Sequence, residues 1–130
     1  SLANLALPKR LDVMSLNWPY TQIAGVLCIN MIHIAPWSCS AGLISGAAQV
    51  LEGNGPLVLY GPFKRNGIHT APTNETFDRM LQRKNPEWGV RDIEAVEAIA
   101  RDAGLDESTV IEMPSNNCCL ILRRDIYGLK

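Results

Sequence analysis

"IAGVLCINMIHIAPW", residues 23–37, decides the fold. Residues 23–32 form an apolar run rich in β-branched side chains and interrupted only by Asn30. A run without polar alternation is expected of a strand covered on both faces, as in a parallel sheet. Its exit carries a polar pair, Asn30 and His33, and Pro36 then stands where the first turn of a helix tolerates proline. Residues 37–52 read as that helix, with Leu43, Ala47, Val50 and Leu51 on one face and Gly53 as its C-terminal stop. Ala41, Gly42, Ser45 and Gly46 make another side of it small, which would allow close approach to the sheet.

Working outward, "RLDVMS" (10–15) reads as a short strand ending near Asp12, and "NWPYTQ" (17–22) as a turn broken by Pro19. "GPLVLYGPF" (55–63) is a second buried strand with a Gly-Pro break, followed by "KRNGIHTAPT" as a long loop. Asn74 is expected to cap a helix over 75–84 that Pro86 ends. The Asn74-Glu75-Thr76 triplet matches a glycosylation acceptor but reads better as this helix start. Asp92 caps the next helix, whose apolar stripe is Ile93, Val96, Ile99, Ala100 and Ala103, with Gly104 as its stop. "STVIEM" (108–113) and "CCLILRR" (118–124) are strands joined by the short "PSNN", hence antiparallel. This alternation predicts one α/β domain over residues 1–130 with a mostly parallel sheet. Strands 23–32 and 55–61 are its centre, with the antiparallel strand 118–124 inserted beside them.

Composition narrows the function classes. With 47% hydrophobic and 19% charged residues the chain can bury a core. Its 12 basic and 13 acidic residues give a net charge of -1, and the longest basic cluster is Lys64-Arg65, so no nucleic-acid partner is expected. No apolar stretch reaches the roughly 18–20 residues that span a bilayer, and "SLANLALPKR" lacks a basic n-region, so neither a membrane partner nor a signal peptide is expected. Cys28, Cys39, Cys118 and Cys119 fit neither zinc spacing nor a redox motif, so we expect no metal. Free thiols in a reducing cytosol are the expectation, hence a cytoplasmic location.

The local motifs are more specific. "CINMIHIAPW", "LYGPFKRNG", "NPEWGVRD" and "MPSNN" followed by "CLILRR" together resemble the family of methyltransferase-like protein 26, classed with S-adenosylmethionine (SAM)-dependent methyltransferases. The resemblance runs from "LDV" to "RR". It implies the C-terminal portion of a class I methyltransferase fold, a Rossmann-like three-layer sandwich with a final antiparallel hairpin. It also implies SAM as cofactor and methyl transfer to a small-molecule acceptor. Carried over residue by residue, Asp12 resembles the position beside the adenine, and Asn30, Met31 and His33 stand at the exit of the fourth strand. The chain contains no G-x-G-x-G and would begin just before the family's third strand. The expectation is therefore a partial domain that binds SAM weakly or not at all on its own. The alternative is a non-catalytic α/β binding or interaction module.

Each candidate has two readings. His33 is either a base or an orienting contact, or a histidine bonded to backbone at a strand end. Asn30 is a ligand contact or a satisfied buried amide, and Asp12 a ligand contact or a turn cap. Tyr60 closes the second strand, and its hydroxyl either reaches the same crevice or is solvated. His69 lies in a loop of the kind that carries substrate contacts, or is merely exposed. In "NPEWGVRD", Trp88 reads as a lid on the core and Asp92 as a helix cap, whereas Arg91 has no local explanation and is the substrate-binding candidate. Asn116 and Asn117 suit a tight turn. A Cys39–His33 nucleophilic pair lacks an orienting third group and is a weak case. The resemblance also implies a further strand beside 23–32, so Val26-Leu27-Cys28-Ile29 would present a bare apolar edge, and a homodimer through strand 23–32 is expected.

Overall fold

The computed structural model describes residues 2–126. Strand β1 (Val26–Ile29) is shorter than its apolar run. Asn30 ends it by adopting φ +56°, a left-handed conformation that asparagine tolerates better than most side chains. Helix α1 (Trp37–Val50) follows with Pro36 at its N-cap and crosses over to β2 (Leu57–Gly61), which pairs parallel with β1 from Val26 opposite Leu57 to Ile29 opposite Tyr60.

The segment read as a long loop is instead a hairpin. Strands β3 (Phe63–Arg65) and β4 (Ile68–His69) turn through Asn66 and Gly67, at φ +54° and +75°, the two positive values that an Asn-Gly hairpin turn requires. Helix α2 (Pro72–Lys84) starts with Pro72 at its first position, so Asn74 lies inside the first turn and is not the cap. Strand β5 (Arg91–Asp92) pairs parallel with β3 and completes a small sheet of order β4-β3-β5. Helix α3 (Ile93–Asp102) has Asp92 at its N-cap as expected, but the carboxylate accepts from the Gly67 N–H (3.0 Å) and thereby ties down the hairpin turn. Strands β6 (Glu107–Met113) and β7 (Asn117–Arg123) form the final hairpin around a 3₁₀ turn, Pro114–Asn116.

The main sheet has the order β1-β2-β7-β6. It is mixed rather than mostly parallel, because β7 inserts antiparallel between β2 and β6. On one face, Leu57 and Leu59 of β2 and Leu120 and Leu122 of β7 are buried with Ile44 and Ala47 of α1 and Ile93, Val96 and Ala100 of α3. The other face is apolar but open: Leu27 is 64% and Ile29 57% exposed. The expectation that strand 23–32 is covered on both faces therefore fails, since burial alternates along β1.

Residues 10–15 form no strand. The Asp12 carboxylate accepts from the Met14 N–H (2.9 Å) in a local turn, and the segment runs along α1. The small side of α1 faces this segment rather than the sheet. A Cβ built on Gly46 would lie 2.1 Å from Cε2 of the buried Trp18, so only glycine lets the indole seat there. At the other end of α1, whose last turn carries no basic residue, Arg124 donates to the carbonyls of Ala48 and Leu51 and so neutralises the negative end of the helix dipole. Among the described residues no helix is long and apolar enough to cross a membrane.

Gly46→Ala is expected to destabilise the fold. Expelling Trp18 costs about 1–3 kcal/mol as an overpacking effect, partly offset by ~1 kcal/mol of better helix propensity. Urea unfolding should show a net loss of about 1 kcal/mol or more, with a red shift in tryptophan emission. Unchanged or increased stability would refute the seating of Trp18 on Gly46.

Candidate functional site

Because β1 and β2 are parallel, both deliver their carboxyl ends to the same end of the sheet. The antiparallel β7 starts at that end and β6 finishes there. Asn30, Gly61, Met113 and Asn117 are thus gathered along one edge by topology alone. The Asn30 N–H donates to the Tyr60 carbonyl (2.9 Å), fixing the turn out of β1, while its exposed side-chain amide forms no hydrogen bond among the described residues.

Gly61 allows the next step. A Cβ there would sit 2.9 Å from Cε1 of His33 and 3.1 Å from Oδ1 of Asn30. The two polar side chains of the β1 exit therefore close over bare backbone at the end of β2. His33 is 2% exposed, and its ring meets Phe77 of α2 edge-on at 5.6 Å. Its carbonyl accepts from the Gly89 N–H (3.0 Å). Its Nε2 is buried without a hydrogen-bond partner among the described residues. Burial, and secondarily the Arg91 charge, push its pKa from 6.5 down to about 4, so the imidazole is neutral at pH 7. The backbone-bonded strand-end histidine foreseen from the sequence is correct for the carbonyl but not for the ring.

The other predicted residues separate. The Tyr60 hydroxyl accepts from Asn117 Nδ2 (3.2 Å), so Tyr60 joins the edge and Asn117 is a strand residue rather than part of the turn. Met31 is partly buried and packs on the hydrophobic core. Asp12 shares no hydrogen bond or ion pair with Asn30, Met31 or His33 among the described residues; the turn-cap reading describes it. Arg91 does have a local explanation. Its guanidinium donates to the carbonyls of Ile32 (3.1 Å), Ala35 (2.8 Å) and Glu87 (2.8 Å) and lies over the Trp37 ring at 5.4 Å. It clasps the β1 exit loop to the segment before β5, and burial lowers its pKa against the opposing Asp78 charge. No hydrogen bond joins Cys39 to His33 among the described residues.

Of two buried polar residues of α2, Asp78 escapes the sequence reading and Asn74 enters it as a helix cap. Asp78 accepts from the Val90 N–H (2.8 Å) with one oxygen and pairs with His69 Nε2 (3.1 Å) with the other, so His69 sits on β4 and is held there rather than solvated. Asn74 donates to the Asn116 carbonyl (3.1 Å) and the Thr70 hydroxyl (3.4 Å). Their spacing with Leu81, at i, i+4 and i+7, is the one available signal: two polar residues on the helix face that is buried.

The chain is similar in structure to several solved methyltransferases. An O-methyltransferase family protein from Burkholderia thailandensis superposes with a TM-score of 0.76 at 15% identity, over 89% of this chain and 35% of that one. Human N-acetylserotonin methyltransferase, solved in complex with SAM, gives a TM-score of 0.76 at 9% identity, over 89% and 33%. The pyocyanin biosynthetic protein PhzM gives 0.69 at 15%, over 87% and 33%. At such identities the likeness is one of fold, and the chain spans about a third of the length of these structures. Its sequence also matches the family described as "Protein of unknown function (DUF938)" over residues 1–124. The chain belongs to the DUF938 family and has the mixed α/β fold of the C-terminal part of class I methyltransferases.

Proposed function

We propose that this chain is part of a SAM-dependent methyltransferase domain, of the methyltransferase-like protein 26 type that its motifs resemble, acting on a small-molecule acceptor. The observation that carries the reading is the convergence of Asn30, His33 and Gly61 outside the carboxyl ends of parallel strands, where ligands of open α/β sheets bind. The N-acetylserotonin methyltransferase structure holds SAM, and a further neighbour, PigF, holds S-adenosylhomocysteine (SAH). The residues present suit one wall of such a site. Among the described residues the exposed Asn30 amide and the buried His33 Nε2 have no hydrogen-bond partner, and both side chains meet at Gly61.

When bound, SAM would supply a methyl group on a sulfonium, open to displacement by an acceptor's lone pair with the electrons of the S–CH₃ bond passing to sulfur. Positioning is the protein's main task in such a displacement. Asn30 orients the ligand by hydrogen bonding, and Tyr60, held by Asn117, does so from the β2 side. His33 is the candidate base for the acceptor's proton, through an Nε2 that is buried in this structure. A weak base suffices where the acceptor is a hydroxyl, because the oxonium formed on methylating its oxygen is strongly acidic. Arg91 is a positioning residue, fixing the loop from which Asn30 and His33 project. We also propose a second copy of this chain as partner, paired through β1, which is an edge strand with Leu27 and Ile29 exposed.

Calorimetric titration tests the first claim. With no Gly-rich turn in the sequence, SAH should not saturate the 130-residue chain at micromolar concentration, whereas a longer chain supplying that turn should bind it. Absence of binding in both would favour a non-catalytic module, and micromolar binding by the short chain would show that the half-site suffices.

His33 makes stability pH-dependent in a definite direction. Its folded pKa of about 4 lies below its unfolded 6.5, so the unfolded state binds more protons between these values. Stability is full above pH 6.5 and falls as pH drops towards 4. Between pH 7 and 5 the loss from this group is about 2 kcal/mol. Urea unfolding of His33→Phe should lack that increment; an identical pH slope in both proteins would refute the shift.

Sedimentation equilibrium over a wide concentration range is expected to show a dimer that Leu27→Lys, which places a charge in the β1 seam, dissociates. A monomer at high micromolar concentration removes the pairing.

A further inference from the structure

We propose that the polar cleft between the β3–β4 hairpin and the β6–β7 turn binds a small zwitterion, with Arg65 taking its anionic group and Glu112 its cationic group. That this ligand is the methyl acceptor rests on the methyltransferase reading; that the cleft binds it does not.

The cleft has a volume of about 180 Å³ and is lined by Arg65, Thr70, Glu112, Asn116, Asn117 and Cys118, among others. That is below the roughly 300–1,000 Å³ of sites for drug-sized ligands, which points to a molecule of a few heavy atoms. It lies at the strand-exit edge. Cys118 stands opposite Gly61 across the β2–β7 ladder, and Asn117 lines the cleft while holding the Tyr60 hydroxyl. A ligand here would therefore be a neighbour of Asn30 and His33.

The cleft is built rather than incidental. Asn74, buried in α2, donates to Thr70 on the hairpin side and to the Asn116 carbonyl on the turn side, and so ties both banks together. The turn itself holds Ser115 and Asn116 at φ +62° and +60°, two consecutive left-handed residues other than glycine. Paired positive values are the geometry of a tight hairpin turn, so the turn bank of the cleft is fixed by the β6–β7 ladder.

The charges select the ligand. Arg65 and Glu112 line one small cleft with opposite signs, yet they form no salt bridge with each other or with any other described residue. Both act on the Cys118 thiol between them: burial raises its pKa first, the Arg65 charge lowers it and the Glu112 charge raises it. A singly charged ligand would satisfy one of the two and leave the other facing it unpaired. A zwitterion satisfies both, with the amides of Asn116 and Asn117 and the Thr70 hydroxyl available to its polar middle. Since both charged side chains are solvent-exposed, each pairing is weak and the affinity should be on the order of 1 mM.

The test is an NMR titration of the 130-residue chain at constant ionic strength. The probes are ω-amino acids from glycine to 6-aminohexanoate, with pentanoate and pentylamine as singly charged controls. At least one zwitterion should saturably shift the side-chain amides of Asn116 and Asn117 and the backbone amide of Cys118, binding about tenfold or more tighter than either control. Arg65→Glu and Glu112→Arg should each lose that binding, and the double swap should restore it, because a zwitterion can bind reversed. Both residues are exposed, and unchanged thermal unfolding of each variant establishes that it is folded. The proposal is overturned if no zwitterion shifts these signals, if a control binds as well, or if the folded double swap does not regain binding. SAH titrated into the same samples reports separately on the methyltransferase reading.

Discussion

The parallel pairing of Val26–Ile29 with Leu57–Gly61 is the constraint on which the rest of the structure depends. Parallel neighbours cannot be joined by a tight turn, so the chain must cross over, and α1 is that crossover. Its apolar face then covers the same side of β1 and β2, which fixes where the core lies. The pairing also sends two chain exits to one end of the sheet, where backbone no longer committed to a ladder is free to turn. Asn30 leaves by a left-handed turn, and Gly61 leaves room for what Asn30 brings with it. Had β7 been parallel to β2, its carboxyl end would have come to this edge. Being antiparallel, it brings Asn117 and Cys118 instead.

The elements that organise this edge were legible because each carries its own local signal. The apolar runs marked β1 and β2, the 3.6-residue periodicity marked α1 and α3, and the short "PSNN" marked the final hairpin. The extent and facing of β1 were not legible. Leu27 and Ile29 are as apolar as Val26 and Cys28, and composition does not say which pair meets a helix. The β3–β4 hairpin was legible and misread: the Asn66-Gly67 pair is a strong turn signal, but Ile68–His69 is too short a strand to show alternation. At the site, Asn30 and His33 could be singled out as polar residues at a strand exit. The contact of His33 with Gly61, and the clasp made by Arg91, join residues distant in sequence and leave no periodic trace. Arg91 is bonded to carbonyls 59 and 56 positions away.

Two arginines do similar work at opposite ends of α1. Arg91 gathers carbonyls from the loop entering the helix and stacks on Trp37 in its first turn. Arg124 gathers carbonyls from the turn leaving it. Neither has a carboxylate as its hydrogen-bond partner among the described residues. A guanidinium presents five donors in a fixed fork, so it can satisfy several loop carbonyls at once where lysine would satisfy fewer. Each therefore converts an irregular connection into one with determined geometry. The connection at the N-terminal end is the one that carries Asn30 and His33.

The core and the strand-exit edge of this small domain are built differently. The interface of α1, α3 and the inner sheet face is built from buried aliphatic side chains, with Ile44, Leu57, Leu120 and Leu122 fully enclosed. At the strand-exit edge Asn30, Ser115 and Asn116 all hold positive φ, and the buried His33 Nε2 has no partner among the described residues. Left-handed asparagine is tolerated, but an unsatisfied buried nitrogen costs about 1–3 kcal/mol. A fold optimised only for stability would place a small or apolar residue at position 33. What keeps the arrangement in place is over-determination from the core side: the Gly89 N–H holds the His33 carbonyl, Arg91 holds its loop, and Asp78 holds Val90 next to that glycine. Local disagreement with packing rules, braced from behind, is one physical mark of a site, although the buried Trp18 Nε1 and Ser40 Oγ and the positive φ of Gln22 show such disagreement elsewhere too. At this edge it appears where the topology of the parallel pair would put a ligand.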